Sequence, residues 1–139
     1  MPDLEVFTDG GSRGNPGPSA VAVLIYGGSR LLKSHTEFIG EATNNVAEYR
    51  AVLRGLKLAA AFGSGSVVVT LDSKLVASQL SGAYKVKKGH LLELWEMVRK
   101  EEGRFSSVEY RHVRREDPRI STADRLLNAT LDAVGRKRR

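Results

Sequence analysis

The sequence predicts an α/β layer domain with a mixed five-stranded sheet. The sheet would hold an antiparallel three-strand meander plus two strands reached by helical crossovers, with helices on both faces. Three observations carry this. The first forty residues hold three strand-like runs with a tight turn between the second and third. Asn44 to Phe62 then switches to the helical period. Ser66 to Leu71 (SVVVTL) follows, short, β-branched and apolar, like a central strand buried on both faces.

The elements follow in order. Leu4, Val6 and Thr8 alternate with Glu5 and Phe7, as a strand does. Ser19 to Tyr26 (SAVAVLIY) is a second strand, Gly27-Gly28 a turn and Arg30 to Ile39 a third strand. The helix from Asn44 to Phe62 is expected to be capped by Asn44 or Asn45 and to stop at Gly63. Ser73–Leu80 and Leu91–Glu102 read as helices, with Trp95 in the core beside Leu91, Leu92 and Val98 rather than as a base-stacking platform. Val108–Val113 reads as a fifth strand, and Ser121–Val134 as a last helix capped by Ser121 or Thr122.

The chain has 139 residues, the size of one domain, and such a domain buries roughly 68% of its unfolded surface. There are no cysteines, which excludes disulfides and thiolate metal sites and permits a reducing compartment. Any metal must be held by oxygens or by the three histidines, and His35 and His90 carry no motif. With 22 Lys and Arg against 16 Asp and Glu, the net charge of +6 favours a polyanionic partner such as nucleic acid. No apolar run approaches the ~18 residues of a membrane span, and MPDLEVF lacks the regions of a signal peptide. A cytoplasmic monomer is therefore expected. Residues 135–139 form a basic tail expected to be disordered.

Four acids stand at element ends or on inward stripes. Asp9 ends the first apolar stretch, before a run of glycines. Glu48 shares a helical stripe with Val52, Gly55 and Ala59, opposite Arg50, Arg54 and Lys57. Asp72 closes the central strand, where ligand sites of open α/β sheets gather. Asp124 has Leu127 and Leu131 on its stripe. Each acid alone suits a turn, a cap or a helix dipole. Four together suit divalent cations, and oxygen-only ligands point to Mg²⁺ or Mn²⁺ rather than zinc.

Four segments go further: "FTDGGSRGNPGP" around Asp9, "ATNNVAEYRA" around Glu48, "LDSKLVASQLSGAYKVK" around Asp72, and "HVRRED" leading to "TADRLLN" around Asp124. In order and spacing the chain resembles a type 1 ribonuclease H over about residues 3 to 134. The resemblance implies a ribonuclease-H-like fold, a catalytic domain over 1–134, and endonucleolytic cleavage of the RNA strand of an RNA/DNA hybrid. It implies that Asp9, Glu48, Asp72 and Asp124 hold two Mg²⁺ ions, for which Mn²⁺ can substitute. Asp9 would bridge the ions. Asp124 would help hold the ion that activates water, and Glu48 and Asp72 the one near the leaving oxygen. Two ions ~4 Å apart suit in-line displacement at phosphorus, leaving 5′-phosphate and 3′-hydroxyl ends.

The resemblance also assigns RNA-strand contacts to Ser12, Asn15, Asn45 and the Ser73–Lys74 turn, and a DNA phosphate to Thr43 and Asn44. Gly10, Gly11 and Gly14 would let the main chain approach a shallow minor groove, where 2′-hydroxyls tell RNA from DNA. The glycine-rich stretch has neither the GxxxxGK nor the GxGxxG pattern of nucleotide loops.

The chain departs from the family in places. Lys74 stands where the family often has Gln. The basic protrusion of some members is reduced to Lys85, Lys87 and Lys88 near Tyr84, and the resemblance includes no N-terminal hybrid-binding module. The loop Arg114–Ser121 lacks the histidine that often aids turnover, so Arg115, Glu116, Asp117 or Arg119 would substitute, with His112 read as structural within the strand. Two other readings stay open: a binding module that does not cleave, and a nuclease that also acts on double-stranded RNA.

Overall fold

The computed structural model describes residues 2–87 and 89–137. The elements are β1 (Leu4–Ser12), β2 (Gly17–Gly27), β3 (Arg30–Ala42), α1 (Asn44–Ala59), β4 (Ser66–Leu71), α2 (Lys74–Ser81), α3 (His90–Glu102), β5 (Ser107–His112) and α4 (Pro118–Lys137). The strands form one sheet in the order β3-β2-β1-β4-β5. β1–β2 and β2–β3 pair antiparallel, while β1–β4 and β4–β5 pair parallel. This is the predicted mixed sheet, in the predicted element order.

The alternation along β1 divides the interior in two. Leu4 and Val6 face a core shared with Val52 and Leu56 of α1, Val76 and Leu80 of α2 and Val98 of α3. Phe7 faces the other way, joining Ala22 and Leu24 of β2 under Ile120, Leu127 and Leu131 of α4. Helices therefore cover both faces, and each fully buried Leu, Ile or Val contributes roughly 1.5–3 kcal/mol.

Several boundaries differ from the sequence reading. β1 does not end at Thr8: it runs through Asp9, Gly10 and Gly11, with Ser12 opposite Ser19 of β2. These glycines lie in a strand, not a loop. α1 is capped by Thr43, whose hydroxyl accepts from Val46 N at 3.3 Å, rather than by Asn44 or Asn45. It ends at Ala59, because Ala61 and Phe62 donate to Leu58 and Ala59, tightening the chain into a turn.

α4 begins at Pro118, earlier than Ser121 or Thr122 would cap it. Asp117 Oδ1 accepts from Arg119 N at 3.0 Å and Ile120 N at 3.2 Å, and a proline suits the first helical position. Thr122 instead donates its hydroxyl back to the Pro118 carbonyl. α4 also continues past Val134 through Lys137, so Gly135 to Lys137 are helical where disorder was expected. Arg138 and Arg139 lie outside the described residues. Trp95 is half-buried against the larger core and donates Nε1–H to the Gln79 carbonyl at 3.3 Å.

Candidate active site

Two strands and a helix meet at one place. β1 and β4 are parallel neighbours, with Phe7 opposite Thr70, so Asp9 and Asp72 emerge side by side. The second turn of α1 brings Glu48 over them. Two glycines allow that approach: a Cβ on Gly10 would stand 2.2 Å from the Ala47 carbonyl oxygen, and one on Gly55 would stand 2.9 Å from Val6 Cγ1. Gly10 is thus glycine because helix α1 rests on it, which corrects its assignment to a groove-facing loop.

One carboxylate oxygen from each of Asp9, Glu48 and Asp72 lies within 4.8 Å of the others. Gly10 N donates to Glu48 Oε1 at 3.3 Å, while Glu48 Oε2 is buried without a hydrogen-bond partner. Asp124, on α4, is not one of these three but is close enough for its charge to act on Asp9.

The electrostatics follow from this crowding. Burial pushes Asp9 from an ordinary 3.8 to about 8, helped by the charges of Asp72 and Asp124. Burial, then Asp9 and Asp72, hold Glu48 well above the carboxylate range. Asp72 is also raised by burial, and Arg115 and His112 oppose that shift. A hard divalent cation fits this donor set: it is all oxygen, mutually repulsive, and has an orphaned buried oxygen aimed into it.

The residues expected to touch substrate divide into two groups. On the α1 side, Ser12 N donates to Asn44 Oδ1 at 2.9 Å, and Asn44 N donates to Asn15 Oδ1 at 3.1 Å. Ser12 Oγ donates to the carbonyls of Gly14 and Ala42. Asn45 follows in the first turn, and Gly11 lies against Leu127 of α4, where an added Cβ would stand 3.4 Å from Cδ2. On the Asp72 side, Ser73 caps α2 by accepting from Val76 N at 3.3 Å, and Lys74 opens the helix, exposed. Because Ser73 is the cap, the Asp72 carboxylate remains available to the site. Lys85 and Lys87 line a cleft with Tyr84 and Trp95, whereas Lys88 lies outside the described residues.

Two features escaped sequence reading. His112, read as structural, ends β5 opposite Leu71 and is exposed, close enough for its charge to act on Asp72. The pairing of two parallel strand ends places it there, and nothing local in the sequence signals that. Arg13, within the glycine-rich segment, reaches α4: its Nη2 is 2.6 Å from Asp132 Oδ1. The loop candidates also narrow. Asp117 caps α4, and Arg119 is 3.1 Å from Glu5 while stacking 3.7 Å over the Tyr26 ring. Arg115 and Glu116 remain exposed, the latter lining a cleft with Asp124.

Known proteins resemble this chain in sequence and in fold. A family model described as reverse transcriptase-like matches residues 7–128. The bifunctional protein Rv2228c of Mycobacterium tuberculosis is 42% identical over 131 residues, covering 93% of this chain but 35% of that protein. The solved N-terminal RNase H domain of Rv2228c superposes with a TM-score of 0.92 at 38% identity, covering 100% of both chains. Ribonuclease HI of Halobacterium salinarum is 38% identical, covering 93% of this chain and 64% of its own length. LC11-RNase H1, solved in complex with an RNA/DNA hybrid, gives a TM-score of 0.88 at 36% identity, over 94% of this chain and 98% of that one. The chain spans about a third of Rv2228c and under two thirds of the halobacterial protein. Matched over nearly its whole length in sequence and in fold, the chain belongs to the type 1 ribonuclease H family.

Proposed function

We propose that this chain is a metal-dependent endonuclease that hydrolyses the RNA strand of RNA/DNA hybrids, leaving 5′-phosphate and 3′-hydroxyl ends. The catalytic unit is residues 1–134. The observation that carries the reading is the buried acid cluster of Asp9, Glu48 and Asp72, with Asp124 against it. A pure binding module gains nothing from such repulsion. The solved LC11-RNase H1 complex with a hybrid supports the choice of substrate.

Asp9, Glu48, Asp72 and Asp124 would hold two divalent cations, Mg²⁺ or Mn²⁺. When bound, the cations supply Lewis acidity to the attacking and departing oxygens of the phosphodiester. The protein's own contribution is placement. Asp9 interacts with Glu48, Asp72 and Asp124, so it is the acid that would take part in holding either ion. The N-terminal ends of α1 and α2 flank the acids, and the positive ends of their helix dipoles suit phosphate oxygens.

The Ser12–Asn44–Asn15 hydrogen bonds fix the strand-side residues before substrate arrives, which lowers the ordering cost of binding. From there Ser12, Asn15 and Asn45, with Ser73 and Lys74 across the acids, face the RNA strand and its 2′-hydroxyls, while Gly10 and Gly11 serve the packing of α1 and α4. Thr43 and Asn44 face a DNA phosphate. The test compares Mg²⁺-dependent cleavage of matched labelled RNA/DNA, RNA/RNA and DNA/DNA duplexes, with end-group analysis of products. Cleavage confined to RNA strands, strongest on the hybrid and lost without divalent metal, is expected. An intact hybrid at saturating Mg²⁺, or equal cleavage of DNA/DNA, overturns the reading.

A further inference from the structure

Beyond the acids, the turn after β1 and the last turns of α4 meet in a cleft that the carboxylate site does not use. Arg13 Nη2 lies 2.6 Å from Asp132 Oδ1 and 3.3 and 3.4 Å from the backbone and side-chain oxygens of Asn128. These contacts all fall on one terminal nitrogen. The remaining N–H groups of the Arg13 fork make no hydrogen bond or ion pair to a side chain among the described residues. α4 runs one turn beyond Asp132 and brings Arg136 to the same cleft, about 240 Å³, lined by Arg13, Asp132, Gly135 and Arg136. Arg136 is exposed and forms no ion pair among the described residues, and Gly135 adds no side chain to the opening. Two guanidinium groups thus face one carboxylate, and Asp132 orients Arg13 without neutralising the pair.

The position of this cleft ties it to the proposed substrate. Arg13 directly follows Ser12, on the side where the RNA strand is proposed to lie, and sits four residues past Asp9. Arg136 is twelve residues along α4 from Asp124, or ~18 Å at 1.5 Å per residue. We infer that Arg13 and Arg136 together bind one backbone phosphate of the nucleic acid, outside the stretch held by the acids. This inference rests on the hybrid-binding reading above. Arginine suits the role because its planar fork matches phosphate oxygens in pairs and stays charged at any working pH. The contact is independent of base sequence and extends the bound length of duplex.

The experiment measures binding of the full chain to hybrids in Ca²⁺ over a range of salt concentrations. One hybrid is long. The other ends within ~18 Å of the acids on either side, roughly five base pairs at 3.4 Å each. Arg136→Gln and Arg13→Gln should each weaken binding of the long hybrid several-fold and reduce its log–log salt slope by about 0.9, the value for one phosphate. Because the phosphate is shared, the double variant should lose about one such unit, not two. Arg136→Lys should retain the slope. The short hybrid, and the single-turnover rate at saturating hybrid, should not respond. An unchanged slope on the long hybrid, or an equal loss on both hybrids, overturns the inference while leaving the hybrid-binding reading intact. A wild-type chain that binds neither hybrid overturns that reading and this inference with it.

Discussion

Asp9→Asn should abolish cleavage and at the same time stabilise the metal-free protein. Asp9 is raised from 3.8 to about 8 in the fold, by burial first and then by the charges of Asp72 and Asp124. A carboxyl whose folded value exceeds its unfolded one favours the protonated form on folding. Its contribution is fully present below 3.8 and is lost as pH rises through about 8. At about 1.36 kcal/mol per unit, the loss between pH 4 and pH 7 is ~4 kcal/mol for a group acting alone. Glu48 and Asp72 share the same repulsion, so ~2–4 kcal/mol is the expected gain in the Asn variant at pH 7. That is large beside the ~5–15 kcal/mol that holds a domain together. Urea denaturation in EDTA across pH 4 to 8 reads it directly. Wild type should weaken steadily with rising pH and Asp9→Asn much less, with the two within ~1 kcal/mol at pH 4. Saturating Mg²⁺ should largely cancel the difference, since ligand at a hundredfold its Kd adds about 2.7 kcal/mol to the form that binds it. A stability difference that is the same at every pH, or an Asn variant less stable than wild type at pH 7, would refute the reasoning.

Glu48→Gln and Asp72→Asn should likewise lose cleavage by at least about 10²-fold with the fold retained, checked by hybrid cleavage alongside circular dichroism. Gly10→Ala drives a Cβ to 2.2 Å from the Ala47 carbonyl, so it should cost about 1–3 kcal/mol in stability, shift α1 and lower activity through Glu48. Denaturation and Mg²⁺ titration of activity measure both effects, and an unperturbed Gly10→Ala would show that α1 does not rest on this strand. Arg115→Ala or Glu116→Ala should slow multiple turnover while sparing single turnover. Asp117→Ala should instead lose about 1 kcal/mol of stability as the cap of α4.

Much of this was legible in the sequence because period and punctuation are local. The alternation of β1, the apolar run of β4 and the helical stripe of α1 each announce one element, and their order determines the layer architecture. The acids were legible too, since Asp72 follows a buried strand and Glu48 shares a stripe with Val52 and Gly55. What escaped depends on which elements meet. Gly10 and Gly11 look like a loop until helix α1 is seen resting on the first and α4 on the second. His112 looks internal until β4 and β5 are paired and their ends coincide beside Asp72. The start of α4 was misread because Ser121 and Thr122 are better-known caps than an Asp followed by a proline. Reading that start late also hid how far the helix runs and that Arg136 lies beside Arg13.

The two cores explain how a chain of this size holds four acids together. Asp9, Glu48 and Asp72 project from elements of the larger core, and Asp124 comes from α4, which packs on the opposite face of the sheet. No single helix holds more than one of them, so each acid is held in place by a different set of apolar contacts. Leu127 and Leu131 hold α4 against Phe7, Ala22 and Leu24, while Val52 and Leu56 hold α1 against Val6 and Val69. Weakening one packing layer therefore moves one acid relative to the other three. A truncation such as Leu127→Ala, at about 2–5 kcal/mol, should accordingly raise the Mg²⁺ concentration needed for half-maximal cleavage under conditions where the chain is still folded. If the variant loses stability but keeps its metal requirement, Asp124 contributes nothing to holding the ions, and the site reduces to the three acids of β1, α1 and β4.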